Sequence, residues 1–159
     1  MPKRSALYTD GFYGNIRFEC HDALANGFNI NERNELMKTA SSELEAANQV
    51  VPKIDVETGI DKHKKGGSVF IDVRDGLDIN QTGTIAGALR IPRGFIEFAA
   101  DQDTPFYNQS LQKDADIVLV CGAGGMAALT GKTLLEMGYK SVSNVGGFSS
   151  WKDAGGPVE

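Results

Sequence analysis

Cys121 closes an apolar run, Ile117-Val118-Leu119-Val120, and is followed directly by Gly122-Ala123-Gly124-Gly125 and a helix-forming stretch from Met126. That order predicts a strand, a glycine-rich turn and a helix. The start of a helix presents backbone N–H groups without intrahelical acceptors and the positive end of the helix dipole, a setting in which anions bind. A thiol placed there ionises more readily, because the thiolate is the form that the dipole and the amide donors stabilise. Cys121 is therefore a candidate nucleophile. A free cysteine more commonly serves as a small buried apolar side chain. Three glycines among the four residues after Cys121 argue for the chemical role, since glycine costs stability in regular structure and is kept for close backbone approach.

The elements that must position this loop follow a strand–helix rhythm. Val69–Val73, Ala88–Ile91, Ile117–Val120 and Ser141–Val145 are short runs with β-branched or aromatic character. Between and after them, Gly94–Ala100, Met126–Met137 and Phe148–Ala154 have helical character, with Gly138 as a C-terminal stop. Strands apolar on both faces and alternating with helices predict an α/β fold, a mostly parallel sheet covered by helices on both sides. Ligands bind beyond the carboxyl ends of strands in such sheets, and Cys121 sits at such an end.

Upstream, Pro52 marks a boundary, dividing an N-terminal extension (1–51) from a domain over 52–159. A short strand near Lys53 and Ile54 is expected, then a helix capped by Asp55 and stopped by Gly66-Gly67. Within the extension, Asn31 is an expected N-cap for a helix over about 31–48, whose Leu36, Ala40, Leu44 and Ala47 make a modest apolar stripe. That stripe would pack on the rest of the molecule or on a second copy of the chain, which makes the extension a candidate oligomer contact.

The 159 residues suit a single soluble domain with a substantial core. A net charge of −5 and the lack of a long basic run argue against nucleic acid or an acidic membrane surface as partner. Lys62, Lys64 and Lys65 read as a solvated helix end. The first ten residues lack the apolar stretch of a signal peptide and no segment reaches membrane-spanning length, so the expected compartment is the cytoplasm. There Cys20 and Cys121 would both be thiols. Cys20 adjoins His21, but two neighbouring residues without further ligands make a poor metal set.

Several motifs occur together: V-F-I-D-V-R-D (69–75), G-T-I-A-G-A-L-R-I-P-R-G (83–94), the cysteine loop, L-L-E-M-G-Y (134–139) and V-G-G-F-S-S-W-K-D-A-G-G-P-V (145–158). In order and spacing this series resembles the rhodanese domain, over roughly Pro52 to Glu159. The resemblance implies a single-domain sulfurtransferase. Its cysteine, matched by Cys121, takes sulfane sulfur from thiosulfate or another donor, holds it as a persulfide and passes it to a thiol or cyanide-like acceptor, without metal or organic cofactor. Gly122, Ala123, Gly124, Gly125, Met126 and Ala127 would line the anion cradle. Asp72 and Arg74 match the family's Asp-x-Arg, which borders the site, although the two could equally pair with neighbouring charges. Arg93, in I-P-R-G, fits a branch of small bacterial rhodaneses in which its guanidinium could meet an anion near the loop.

One position departs from that pattern. Active rhodaneses usually carry arginine at the sixth position counted from the cysteine, followed by Ser or Thr; here those positions are Met126 and Ala127. A charge-assisted contact to an anion contributes about 1.5–3 kcal/mol, so its loss weakens donor binding or turnover by roughly ten- to a hundredfold. Methionine suits a hydrophobic or peptide-like donor or acceptor, such as a protein persulfide or an organic thiol compound, with Arg93 or Arg74 supplying some positive charge. The same gap argues against the phosphatases and arsenate reductases that share the fold, which need the cation. Two alternatives to sulfur transfer stay open: a rhodanese-like binding or regulatory module, and a redox sensor in which Cys20 resolves an oxidised Cys121.

Overall fold

The apolar runs singled out in the sequence form one parallel sheet. The computed structural model describes residues 37–159. Its four strands are β1 (Ser68–Asp72), β2 (Leu89–Arg90), β3 (Asp116–Cys121) and β4 (Ser141–Gly147), in the order β2-β1-β3-β4, every pairing parallel. Among the described residues the helices are α1 (Ala40–Val50), α2 (Val56–Lys65), α3 (Gly76–Thr82), α4 (Ile96–Ala100), α5 (Gly125–Glu136) and α6 (Phe148–Asp153), with a 3-10 turn at Arg93–Phe95.

Alternation along β3 divides the core. Ile117, Leu119 and Cys121 face one layer with Ile71, Ile96, Ala99 and Leu134, under α4 and α5. Val118 and Val120 face the other with Phe70, Ile60, Phe148 and Trp151, under α2 and α6. Each strand is thus covered on both sides, which is why these segments read as continuous apolar runs. The expected α/β architecture is the observed one.

Local departures have local causes. The expected strand at Lys53 and Ile54 is one parallel bridge from Lys53 to Asn144, confined between Pro52, which has no N–H to donate, and the start of α2. Asp55 caps α2 as expected, accepting from Thr58 N–H at 2.6 Å. The expected strand 88–91 shrinks to Leu89–Arg90, next to Pro92. Helix α3 was not foreseen: it is built from weak helix formers and anchored by buried Ile79.

Of the helix expected over 31–48, only the part from residue 37 onward falls among the described residues. There the helix begins at Ala40, with Thr39 as N-cap: Thr39 Oγ1 accepts from Ser42 N–H at 3.1 Å and Ser42 Oγ accepts from Thr39 N–H at 3.0 Å. This capping box ends the helix on its N-terminal side, while Asn31, Leu36 and Cys20 lie outside the described residues. Ala47 is fully buried, and Val51, just past the helix end, sits against Gly131 of α5, where a Cβ would come within 2.7 Å of it. Helix α1 therefore braces the helix that carries the cysteine loop.

Candidate functional site

Strand β3 ends at Cys121, and α5 begins four residues later at Gly125. The turn is closed by Gly124, which donates its N–H to Cys121 Sγ at 3.1 Å and holds φ at +91°, a left-handed conformation that a side chain would strain. Gly124 is also the N-cap of α5 and supplies no side-chain acceptor, so the first N–H groups of the helix, at Gly125, Met126 and Ala127, have no intrahelical partner. These donors and the positive end of the helix dipole lie at the start of α5, four residues after Cys121. Cys121 itself is only 1% exposed; Gly122 and Ala123 over it are exposed.

The loop rests on the end of β4. A Cβ on Gly147 would lie 2.6 Å from the Gly122 carbonyl oxygen, so only glycine lets the two segments approach this closely. Asn144, 3% exposed, joins the same two segments: its Nδ2 donates to Gly124 O at 2.9 Å and its Oδ1 accepts from Gly146 N–H at 2.9 Å. Sequence reasoning missed this residue. Its signal was a lone amide inside the strand S-V-S-N-V, directly before two glycines.

Met126 lies on the first turn of α5, 39% exposed, and Ala127 is buried beneath it. The sixth position thus carries an exposed thioether on the first turn of the helix. Beside the loop runs a groove of about 670 Å³, lined by Lys53, Asp55, Glu57, Gly122, Gly147 and Ser150 among others. Hydrogen bonds from Thr58 hold the Asp55 carboxyl below the usual carboxylate range, so it is charged at neutral pH. A smaller cavity of about 250 Å³ lies at the other end of the sheet, by Ser68 and His63.

The arginines expected near the sulfur are engaged elsewhere. Arg74 and Asp72 are 5% and 0% exposed and bind each other: Nε reaches Oδ1 at 3.0 Å and NH2 reaches Oδ2 at 2.6 Å. The guanidinium also donates to Thr82 Oγ1 and Gly83 O and lies 4.4 Å over the Phe148 ring. Of the two roles open to this pair, the geometry supports the structural one: it buckles the segment after β1 and offers no free charge to the loop.

Arg93 is likewise engaged by other side chains. It donates to Glu97 Oε1 at 2.9 Å and to Thr133 Oγ1 at 3.1 Å. Thr133 is eight residues beyond Gly125 along α5, about 12 Å down the helix axis. The expectation that Arg93 meets an anion at the loop is therefore corrected: its acceptors sit two turns from the helix start. Arg93→Ala is expected to leave the Kd for thiosulfate or sulfite, read by titration calorimetry, within about twofold, since exposed charges beyond about 8–10 Å are screened. A tenfold weakening would return Arg93 to the site.

Comparison with known proteins bears on this geometry. The profile of the Rhodanese-like domain family matches residues 56–154, which span α2 to α6 and the whole cysteine loop. The chain belongs to the rhodanese-like family. Among solved structures it is similar to a protein of unknown function and possible tyrosine phosphatase from Rhodopseudomonas palustris, at 34% identity and TM-score 0.73, covering 78% of this chain and 96% of that one. It is also similar to the rhodanese-like domain of a protein from Anabaena sp., at 27% identity and TM-score 0.58, covering 68% and 78%. A human single-domain sulfurtransferase shares the fold at 24% identity and TM-score 0.57, covering 65% and 96%. No curated protein matches the chain. Among the described residues, no group of three or more His, Cys, Asp or Glu side chains is placed to hold a metal ion, and no helix is long and apolar enough to cross a membrane.

Proposed function

We propose that this rhodanese-like protein is a sulfurtransferase or persulfide carrier working through Cys121. The observation that carries the reading is the Gly124 N–H on Cys121 Sγ at the N-terminus of α5, a donor from which an anionic sulfur can accept. The Cys121 thiolate attacks the sulfane sulfur of a donor R–S–S⁻. A new S–S bond forms to Cys121, the donor's own S–S bond breaks, and R–S⁻ leaves with the electron pair; from thiosulfate the leaving group is sulfite. An acceptor thiolate or cyanide then attacks the outer sulfur and regenerates the Cys121 thiolate. No external oxidant or reductant is consumed.

The donor is an organic or protein persulfide rather than a small dianion. Met126 puts a polarizable apolar group where a dianion would need a cation, and Arg74 and Arg93 are both engaged elsewhere. Tyrosine phosphatase activity, given only as possible for the Rhodopseudomonas protein, makes the same demand for a cation and is disfavoured for the same reason. Met126→Arg is expected to raise kcat/KM with thiosulfate by roughly ten- to a hundredfold, the worth of one charge-assisted contact, in a sulfite-release assay. An unchanged rate would contradict the assignment of the missing cation to position 126.

One observation favours a rival reading. At 1% exposure Cys121 resembles a structural cysteine, as expected of a binding module that keeps the fold without the chemistry. Sulfur loading of Cys121 separates the two.

A further inference from the structure

Asn144 is a buried amide that the sulfur chemistry does not itself use, and its position on β4 is unusual. Its main chain is already spent: the N–H donates to Pro52 O at 2.9 Å and the C=O accepts from Ile54 N–H at 3.0 Å. At this point the pairing of β3 with β4 slips, Leu119 standing opposite Asn144 but Val120 opposite Gly146, so Val145 is an extra residue in β4. Such bulges bend a strand end and re-aim the residues beyond it. Asn144 Oδ1, accepting from Gly146 N–H, closes this bulge, and Gly146 takes φ +95° just after it.

The other end of the same amide reaches across to the cysteine loop, where Nδ2 donates to Gly124 O. Gly124 is the residue whose N–H lies on Cys121 Sγ. It is a glycine between glycine and alanine neighbours, with no side chain to hold its own conformation, so its backbone dihedrals must be fixed from outside. Two contacts hold its carbonyl, the Ala128 N–H of α5 at 3.0 Å and Asn144 Nδ2 at 2.9 Å. Only the second ties the loop to the sheet.

We infer that Asn144 is a positioning residue for Cys121: it locks the bulge of β4 to Gly124 and thereby keeps the Gly124 N–H aimed at the sulfur. The inference rests on Cys121 being the reacting atom, but not on what the sulfur is transferred to. Both ends of the amide are needed. A carboxylate would keep the bond from Gly146 but set a second acceptor against Gly124 O, and a serine is too short to span both partners.

The test is the rate of Cys121 alkylation by iodoacetamide against pH, read on the full chain by mass analysis of the peptide containing Cys121. This readout works whether or not the protein transfers sulfur. Asn144→Asp is expected to slow alkylation at neutral pH roughly tenfold, the worth of one buried hydrogen bond. Asn144→Ser, which adds no charge, is expected to do the same. Ser143→Ala, which removes a bond from the neighbouring β4 hydroxyl to Ile117 O, is expected to leave the profile in place.

A folded Asn144→Ser protein with a lowered Tm and the wild-type profile would overturn the inference and leave Asn144 a purely structural residue. If neither Asn144 variant folds, the wild-type protein decides. Alkylating Cys121 is then expected to shift the side-chain amide NMR resonances of Asn144, and unmoved resonances would overturn the inference.

Discussion

Cys121→Ser is expected to take sulfur transfer to background with every donor, a loss of roughly a thousandfold or more, while the protein stays folded. The hydroxyl is close in size to the thiol and still offers an acceptor to the Gly124 N–H that now bonds Sγ at 3.1 Å, so the loop keeps its closing contact. What it lacks is chemistry. A serine hydroxyl does not ionise near neutral pH and cannot carry sulfane sulfur as a persulfide. Burying the more polar group costs about 1–3 kcal/mol at most, so circular dichroism and a thermal melt are expected to show a native fold. Transfer activity that survives the substitution would remove Cys121 from the mechanism.

The second large effect is on stability. Asp72→Ala is expected to destabilise the protein by about 3–5 kcal/mol, the cost of stranding one member of a buried ion pair. Asp72 is fully buried and accepts from the Arg74 main-chain N–H, from the Arg74 guanidinium and from Thr84 Oγ1 at 2.7 Å. Without it, a guanidinium at 5% exposure faces Phe148 with its principal acceptor gone. Domains of this kind are stable by only about 5–15 kcal/mol, so the variant stands near the edge of folding. Equilibrium urea unfolding measures the change. A loss below about 1 kcal/mol would contradict the structural role given to the pair and reopen its reading as part of the site's edge.

The contrast between these residues shows what a sequence can disclose. The strand–loop–helix unit was legible because two strong signals coincide at residues 117–125: an apolar run too uninterrupted for an exposed segment, and glycines that regular structure does not tolerate well. The parallel, doubly covered sheet follows from the same logic of buried strands, whereas the order of its strands had no signal in the sequence. Arg93 was misplaced because motif order says nothing about where a long side chain points; its direction is set by Glu97 and Thr133, and Thr133 lies 40 residues away on α5. The Asp72–Arg74 pair had a weak local signal, since residues two apart at a strand end share a face. Its burial under Phe148, 74 residues further on, had none.

Asn144 was overlooked for a different reason. A polar residue in a strand ordinarily reads as facing solvent, and its bonds to Gly124 and Gly146 exist only because the bulge after it folds β4 toward the loop. The start of α1 had no clear signal in the sequence, since only the reciprocal bonds between Thr39 and Ser42 mark it.

The central claim, that Cys121 accepts sulfane sulfur, is tested most directly by the intact mass and peptide map of the reduced protein after exposure to an organic persulfide and, separately, to thiosulfate. The account predicts a gain of one sulfur atom on the Cys121 peptide with the organic persulfide, and a far smaller gain with thiosulfate. No added sulfur on Cys121 from either donor would contradict it and leave a rhodanese-like fold that has kept the cysteine without its chemistry.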